Sequence, residues 1–126
     1  MTENEVAKQI VDVAFKIHTT FGPGLLESVY ETIMAYELRK RALEVRSQKP
    51  IPVIHECSNA SWFSSRPIIE NKVVVEIKSV EMIAPVHKKQ LLTYLRLADK
   101  RLGLLINFNV ELIKNGISRV VNRLEE

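Results

Sequence analysis

The stretch Lys72-Val73-Val74-Val75-Glu76-Ile77-Lys78-Ser79-Val80 carries the strongest strand signal in the chain. Three consecutive valines follow a turn-like Glu70-Asn71, and β-branched side chains suit a pleated, half-buried surface. Side chains alternate along a strand, so Glu76 and Lys78 project from one face while Val75 and Ile77 take the other. An acid and an amine on a buried strand are costly unless they are paired or bound to something. One chemistry that uses such a pair is metal-assisted attack on a phosphodiester. The carboxylate holds a divalent ion, and the lysine orients or deprotonates the attacking water and offsets phosphate charge. A solvent-facing salt bridge is the commoner meaning of Glu-x-Lys taken alone.

Outward from this strand, the apolar period changes. Val6, Ile10, Val13, Ala14, Ile17 and Phe21 recur at helical spacing and predict an amphipathic helix over about 3–20. Gly22-Pro23-Gly24 breaks it. A second helix follows over about 25–42, with Leu26, Val29, Tyr30, Ile33, Met34 and Leu38 on one side and Arg39-Lys40-Arg41 at its C-terminal end. Val45 to His55 reads as one strand near a sheet edge, because Pro50 and Pro52 cannot donate to a ladder. Ser58-Asn59 is a turn candidate, Trp62-Phe63 opens a short strand, and Pro67 is expected to end or demote it. Beyond Ala84-Pro85, residues 86–98 read as a helix with Leu91, Leu92, Leu95 and Leu97 inward. Gly103–Phe108 is a short central strand, and 113–121 adds a last one with Asn115-Gly116 as its hairpin turn. The expected class is α/β, in the order α-α-β-β-β-α-β-(β).

Composition sets the frame. A chain of 126 residues with 46% hydrophobic and 26% charged residues is expected to form a single domain over 1–126. It is long enough to bury roughly two thirds of its unfolded surface. Those figures exclude a disordered, collagen-like or disulfide-scaffold chain. The net charge of +3 permits nucleic acid as a partner without demanding it. The one cysteine, Cys57, has no Cys/His cluster beside it, which argues against a zinc site. No signal peptide and no membrane-spanning run are read, so no membrane partner and a cytoplasmic location are expected.

Other positions carry chemistry or plain structure. Glu27 stands in the first turn of the second helix, where the dipole favours a carboxylate, and Tyr30 and Glu31 share its side. Gln90 and Tyr94 are four apart on one helical face, read as lying opposite much of the leucine packing. An amide and a phenol so placed can position a phosphate or a catalytic group, or can form a polar flank with a half-buried tyrosine. His87, Lys88 and Lys89 can touch a nucleic-acid backbone or simply be solvated.

The joint order of these pieces resembles the GxxExxY proteins. The motif stands here as Gly24-Leu25-Leu26-Glu27-Ser28-Val29-Tyr30. It is joined by His18, Phe21-Gly22-Pro23-Gly24, Pro50-Ile51-Pro52-Val53, Glu76-Ile77-Lys78, Pro85-Val86-His87, Gln90-Leu91-Leu92-Thr93-Tyr94 and Gly103 to Phe108. That family is placed in the PD-(D/E)xK nuclease-like superfamily, near members with a QxxxY helix. The resemblance implies a restriction-endonuclease-like core, a mixed β-sheet flanked by helices. It implies hydrolysis of nucleic-acid phosphodiesters with Mg²⁺ or Mn²⁺, DNA ahead of RNA as partner, and an enzyme only if the site is intact. Carried over residue by residue, Glu27 and Glu76 become metal ligands, Lys78 the catalytic lysine, and Gln90 with Tyr94 its supporting pair.

One position departs from that pattern. An aromatic residue should be followed three residues later by an aspartate ligand, yet Phe63-Ser64-Ser65-Arg66 places an arginine there. Arginine has donors only and a fixed positive charge, so it cannot ligate a divalent cation. Three outcomes are open: the site is degenerate, Glu56 or Glu70 substitutes, or Arg66 fills the vacated position and pairs with Glu27 or Glu76. Arg66 then joins His87, Lys88 and Lys89 as a candidate nucleic-acid contact. The alternative to an enzyme is a non-catalytic nucleic-acid-binding or protein-interaction module on the same fold. A homodimer through Trp62-Phe63 is a further candidate assembly.

Overall fold

The computed structural model describes residues 1–47, 51–55, 58–63 and 66–125, with the side chains of 51–63 outside that description. Helix α1 spans Glu3–Phe21. Thr2 caps it reciprocally: the Glu5 N–H donates to Thr2 Oγ1 at 3.2 Å, and the Thr2 N–H donates to Glu5 Oε1 at 3.1 Å. Val6, Ile10, Val13, Ala14 and Ile17 are buried along one stripe, while Phe21, at the helix end, is half exposed.

Helix α2 spans Glu27–Lys40 and starts two residues later than the periodicity predicts, because Leu26 is extended. Its buried side carries Tyr30, Met34 and Leu38, whereas Leu26, expected inward, is 72% exposed and Val29 is also exposed. The C-terminus closes tightly. The Leu43 N–H donates to the Leu38 carbonyl and the Ala42 N–H to the Arg39 carbonyl. Ala42 has φ +63°, and Leu43 packs in the same buried cluster as Leu38. That is a Schellman closure with alanine where glycine is favoured.

Among the described residues, a five-stranded sheet runs β1 (Val45–Ser47), β4 (Pro67–Ile69), β5 (Val73–Lys78), β6 (Leu102–Asn107) and β7 (Ile117–Val121), in that spatial order. Strands β5 and β6 are parallel, joined through helix α3 (Pro85–Ala98), and the other neighbours are antiparallel. A separate two-stranded ribbon pairs β2 (Ile51–His55) with β3 (Ser58–Phe63).

The mixed sheet flanked by helices is as expected, while four of the strand and turn expectations are not met. The predicted strand over 45–55 divides into β1 and β2, which belong to different sheets. Ser58 and Asn59 are not a turn but pair with His55 and Ile54. Pro67 starts a strand rather than ending one, a position where its missing N–H is tolerated. Asn115-Gly116 closes a single 3₁₀ turn over Ile113–Asn115 before β7 begins. Gly116 is needed there, since a Cβ would lie 2.1 Å from the Asn107 carbonyl oxygen.

The sheet is the middle of three layers. Val73, Val75, Ile77, Leu102, Leu104 and Ile106 pack on one face with α1 and α2. Ile68, Val74 and Leu105 pack on the other with Leu91, Tyr94 and Leu95 of α3. Leu97, predicted inward, is exposed. An L-residue held in the left-handed region is strained by roughly 1 kcal/mol. Ala42→Gly is therefore expected to raise unfolding stability by about 0.5–1 kcal/mol in a urea titration, with an unchanged slope.

Candidate functional site

The β4–β5 hairpin decides what faces Glu76. Glu70 and Asn71 take left-handed conformations at its turn (φ +53° and +56°), and Ile69 pairs with Val73 and Ile68 with Val74. Continuing that register one pair beyond Pro67 and Val75 sets Arg66 opposite Glu76. The side chains meet. Arg66 Nε donates to Glu76 Oε1 at 3.0 Å and Nη2 donates to the same oxygen at 2.7 Å. Glu76 is buried and Arg66 nearly so, with side-chain exposures of 8% and 11%. Glu76 Oε2 is also buried and has no hydrogen-bond partner among the described residues.

Helix α3 supplies the floor. The Arg66 guanidinium carbon lies 4.8 Å from the centre of the Tyr94 ring, within cation–π range. Tyr94 is fully buried among Ile68, Val74, Leu91, Leu95 and Leu105. It therefore sits on the packing side with the leucines, not opposite them. Burial pushes its phenol up, against the lowering influence of Arg66. Gln90 is exposed, so the pair four apart divides into a core platform and a solvent amide. Pro67 at the strand start is compatible with all this, because the Arg66–Glu76 contact is made by side chains and needs no proline N–H.

The N-terminus of α2 is tied to the end of β5. Gly24 has φ +107°, the left-handed region that favours glycine. Tyr30 holds this turn: its hydroxyl donates to the Gly22 carbonyl at 2.6 Å and accepts from the Leu25 N–H at 3.2 Å. Its ring stacks on Phe108 at 4.2 Å. Ser79, directly after β5, donates its N–H to Glu27 Oε2 at 3.2 Å and its hydroxyl to the Leu25 carbonyl at 2.8 Å. Asn107 closes the neighbouring edge, accepting from the Val80 N–H at 3.1 Å and donating to the Val80 carbonyl at 2.9 Å.

Glu27 thus lines an open recess with Ser28, Glu31, Ser79 and Asn109 at the end of the strand that carries Glu76. Glu31 completes the acidic side of this recess. Partial desolvation by its neighbours, and next the Glu27 charge, push its carboxyl up from the ordinary range. Lys78 is half-buried, on the Glu76 face by strand alternation, and makes no ion pair among the described residues.

His87 is partly spent on structure, since the Ala84 N–H donates to its Nδ1 at 3.1 Å. Lys88 and Lys89 are exposed on the first turns of α3. The two stand-in carboxylates differ in reach. Glu70 lies at the far end of the hairpin, where its Oε2 accepts from the Glu44 N–H at 2.7 Å, and Glu56 lies outside the described residues. So do the side chains of Trp62 and Phe63, on which the homodimer reading rests.

Glu27, Glu76, Lys78 and Tyr94 stand out in the sequence, and Ser79 does not. The only sign of Ser79 in the sequence is a small hydroxyl residue immediately after the strand, and its two partners are more than fifty positions away.

A divalent ion does not fit this donor set. A guanidinium, itself braced by Tyr94, is hydrogen-bonded to Glu76 and would repel the ion. Among the described residues, no three His, Cys, Asp or Glu side chains come together as a metal cluster.

Two consequences are measurable. Arg66→Ala strands Glu76 as an unpaired buried charge and is expected to lose about 3–5 kcal/mol of unfolding stability at neutral pH. Arg66→Met with Glu76→Leu removes both charges and is expected to recover most of it; a loss below about 1 kcal/mol in Arg66→Ala alone would show that Glu76 is already solvated. For Glu31 the folded carboxyl titrates above its unfolded value, so its ionisation opposes folding as pH rises through that range. Glu31→Gln is expected to melt higher than the parent at neutral pH, with the difference closing below the ordinary carboxylate range.

No curated protein and no solved structure matches the chain. A family model described as the PD-(D/E)XK nuclease superfamily matches residues 4–120. That match spans α1 through most of β7 and includes Glu27, Arg66, Glu76, Lys78 and Tyr94. The chain belongs to the PD-(D/E)XK nuclease superfamily.

Proposed function

We propose that this chain is a nuclease-like domain that binds nucleic acid, DNA ahead of RNA, without hydrolysing it. The reading rests on one observation: the two hydrogen bonds, 3.0 and 2.7 Å, from Arg66 to buried Glu76. In the enzyme that the superfamily implies, Glu27, Glu76 and an aspartate would hold Mg²⁺ or Mn²⁺. Lys78 would serve the attacking water, and Gln90 and Tyr94 would support it. Here the aspartate's place belongs to a cation, and Glu76 has become its counter-ion.

The exchange alters what the neighbourhood attracts. With Glu76 neutralised by Arg66, Lys78 on the same face is free to meet a phosphate, and Lys88 and Lys89 add charge on α3. Such contacts hold a backbone without reading bases. The competing reading, a metal-dependent phosphodiesterase, draws on the unpartnered Glu76 Oε2; it requires Arg66 to leave.

A nuclease assay with Mg²⁺ and Mn²⁺ on single- and double-stranded DNA separates the two. The parent chain is expected to bind with steep salt dependence and to cut nothing. Arg66→Asp is expected to gain metal-dependent cleavage, abolished again by adding Glu76→Ala. Cleavage by the parent that disappears in Glu76→Ala would overturn the reading.

A further inference from the structure

At the end of the sheet away from Lys78, residues Arg96, Asp99, Arg101, Asn122 and Arg123 line an open recess of about 310 Å³. Arg101 directly precedes β6, whose Leu105 pairs with Glu76 four residues further on. At about 3.3 Å per residue the recess lies roughly 13 Å along the strands from the Glu76 level.

Its walls are firmly tied. The Asn122 N–H donates to the Arg101 carbonyl at 2.8 Å and Asn122 Nδ2 to the Lys100 carbonyl at 3.0 Å. The Lys100 N–H donates to the Leu95 carbonyl at 2.9 Å, and Lys100 Nζ to Asn71 Oδ1 at 2.9 Å. Two non-glycine residues of the recess, Asp99 and Arg123, are held in the left-handed region at φ +55° and +56°. Such backbone persists only where its surroundings enforce it.

Among the described residues, Arg96, Arg101 and Arg123 make no ion pair. Three arginines line one recess beside a single carboxylate, Asp99, and a ligand with several negative oxygens suits that excess of positive charge. Planar guanidinium forks match phosphate geometry. The recess also continues a surface. Lys89, Thr93 and Arg96 follow at helical spacing of four and three on α3, all exposed, and α3 has no acidic residue.

Resting on the nucleic-acid reading above, we infer that the arginine recess is a phosphate-binding site at the far end of a backbone track along α3. Lys88 and Lys89 hold the strand at the first turns, and Arg96, Arg101 and Arg123 hold it at the last. Seven residues from Lys89 to Arg96 advance about 10 Å along the helix, close to three base steps of about 3.4 Å.

The test measures anisotropy of a labelled DNA duplex over a salt series, with the full chain. Arg96→Gln/Arg101→Gln is expected to weaken binding about tenfold and to lower the slope of log affinity against log salt by about 2. Arg123→Asn, which keeps a side chain tolerant of left-handed backbone, is expected to lower the slope by about 1. Lys8→Gln/Lys40→Gln, removing two charges elsewhere, is expected to change affinity less than about twofold.

Parent-like affinity and slope in both arginine variants would overturn the recess while leaving the nucleic-acid reading standing. Inorganic pyrophosphate provides the second arm, followed by amide chemical shifts at 99–101 and 122–123. Shifts there in a parent that binds no duplex would overturn both nucleic acid as the ligand and the proposed function, keeping only a site for free phosphate compounds.

Discussion

A carboxylate carried into the interior by a central strand must be answered by a cation or give up its charge, and that requirement organises this molecule. Glu76 is placed in the interior by the alternation of β5, with valines and an isoleucine on the opposite face. Arg66 answers it because the antiparallel register of the β4–β5 hairpin brings the two opposite each other. Tyr94 lies beneath the guanidinium and is itself wedged between α3 and the sheet. Displacing any one of the three would leave a buried charge or a cavity, so register, helix docking and ion pair hold one another in place.

Around that pair the hydrogen bonds of the motif residues serve position more than chemistry. Tyr30 fixes the Gly22–Leu25 turn, and Ser79 then binds Leu25 and Glu27 to the end of β5. The result is an electrostatic division. Carboxylates of Glu27 and Glu31 gather on the α2 side, while α3 presents lysine and arginine along its solvent face. A small positive net charge becomes a directional surface when the acids and bases are sorted in this way.

Much of this was legible in the chain. The apolar stripe of α1, the triple valine of β5 and the glycine–proline break before α2 carry strong local periodicity or turn chemistry, and all three elements form, α2 starting two residues later than its periodicity predicts. The failures occurred where local pattern is weak. Residues 45–55 contain two prolines and short apolar runs, and nothing local says that β1 and β2 join different sheets. Pro67 reads as a strand breaker until its neighbours show that it occupies a first position. A helical face drawn through Gln90 and Tyr94 sets Tyr94 opposite much of the leucine packing. Packing against Ile68 and Val74 selects a different face.

Residue identity alone supplies the chemical inventory: an acid and a lysine two apart on a buried strand, a glutamate at a helix start, a QxxxY helix, and an arginine where the family pattern has an aspartate. It also determined that Arg66 cannot ligate a metal, since that follows from a guanidinium having no lone pair to offer. Only the tertiary structure chose the partner of that arginine. Glu27 and Glu76 were equal candidates in one dimension. The choice depended on strand register and on the orientation of α3, which are properties of contacts between segments distant in the chain. For the same reason Arg96, Arg101 and Arg123 look like scattered surface charges in sequence and form one recess only when α3, the start of β6 and the end of β7 meet.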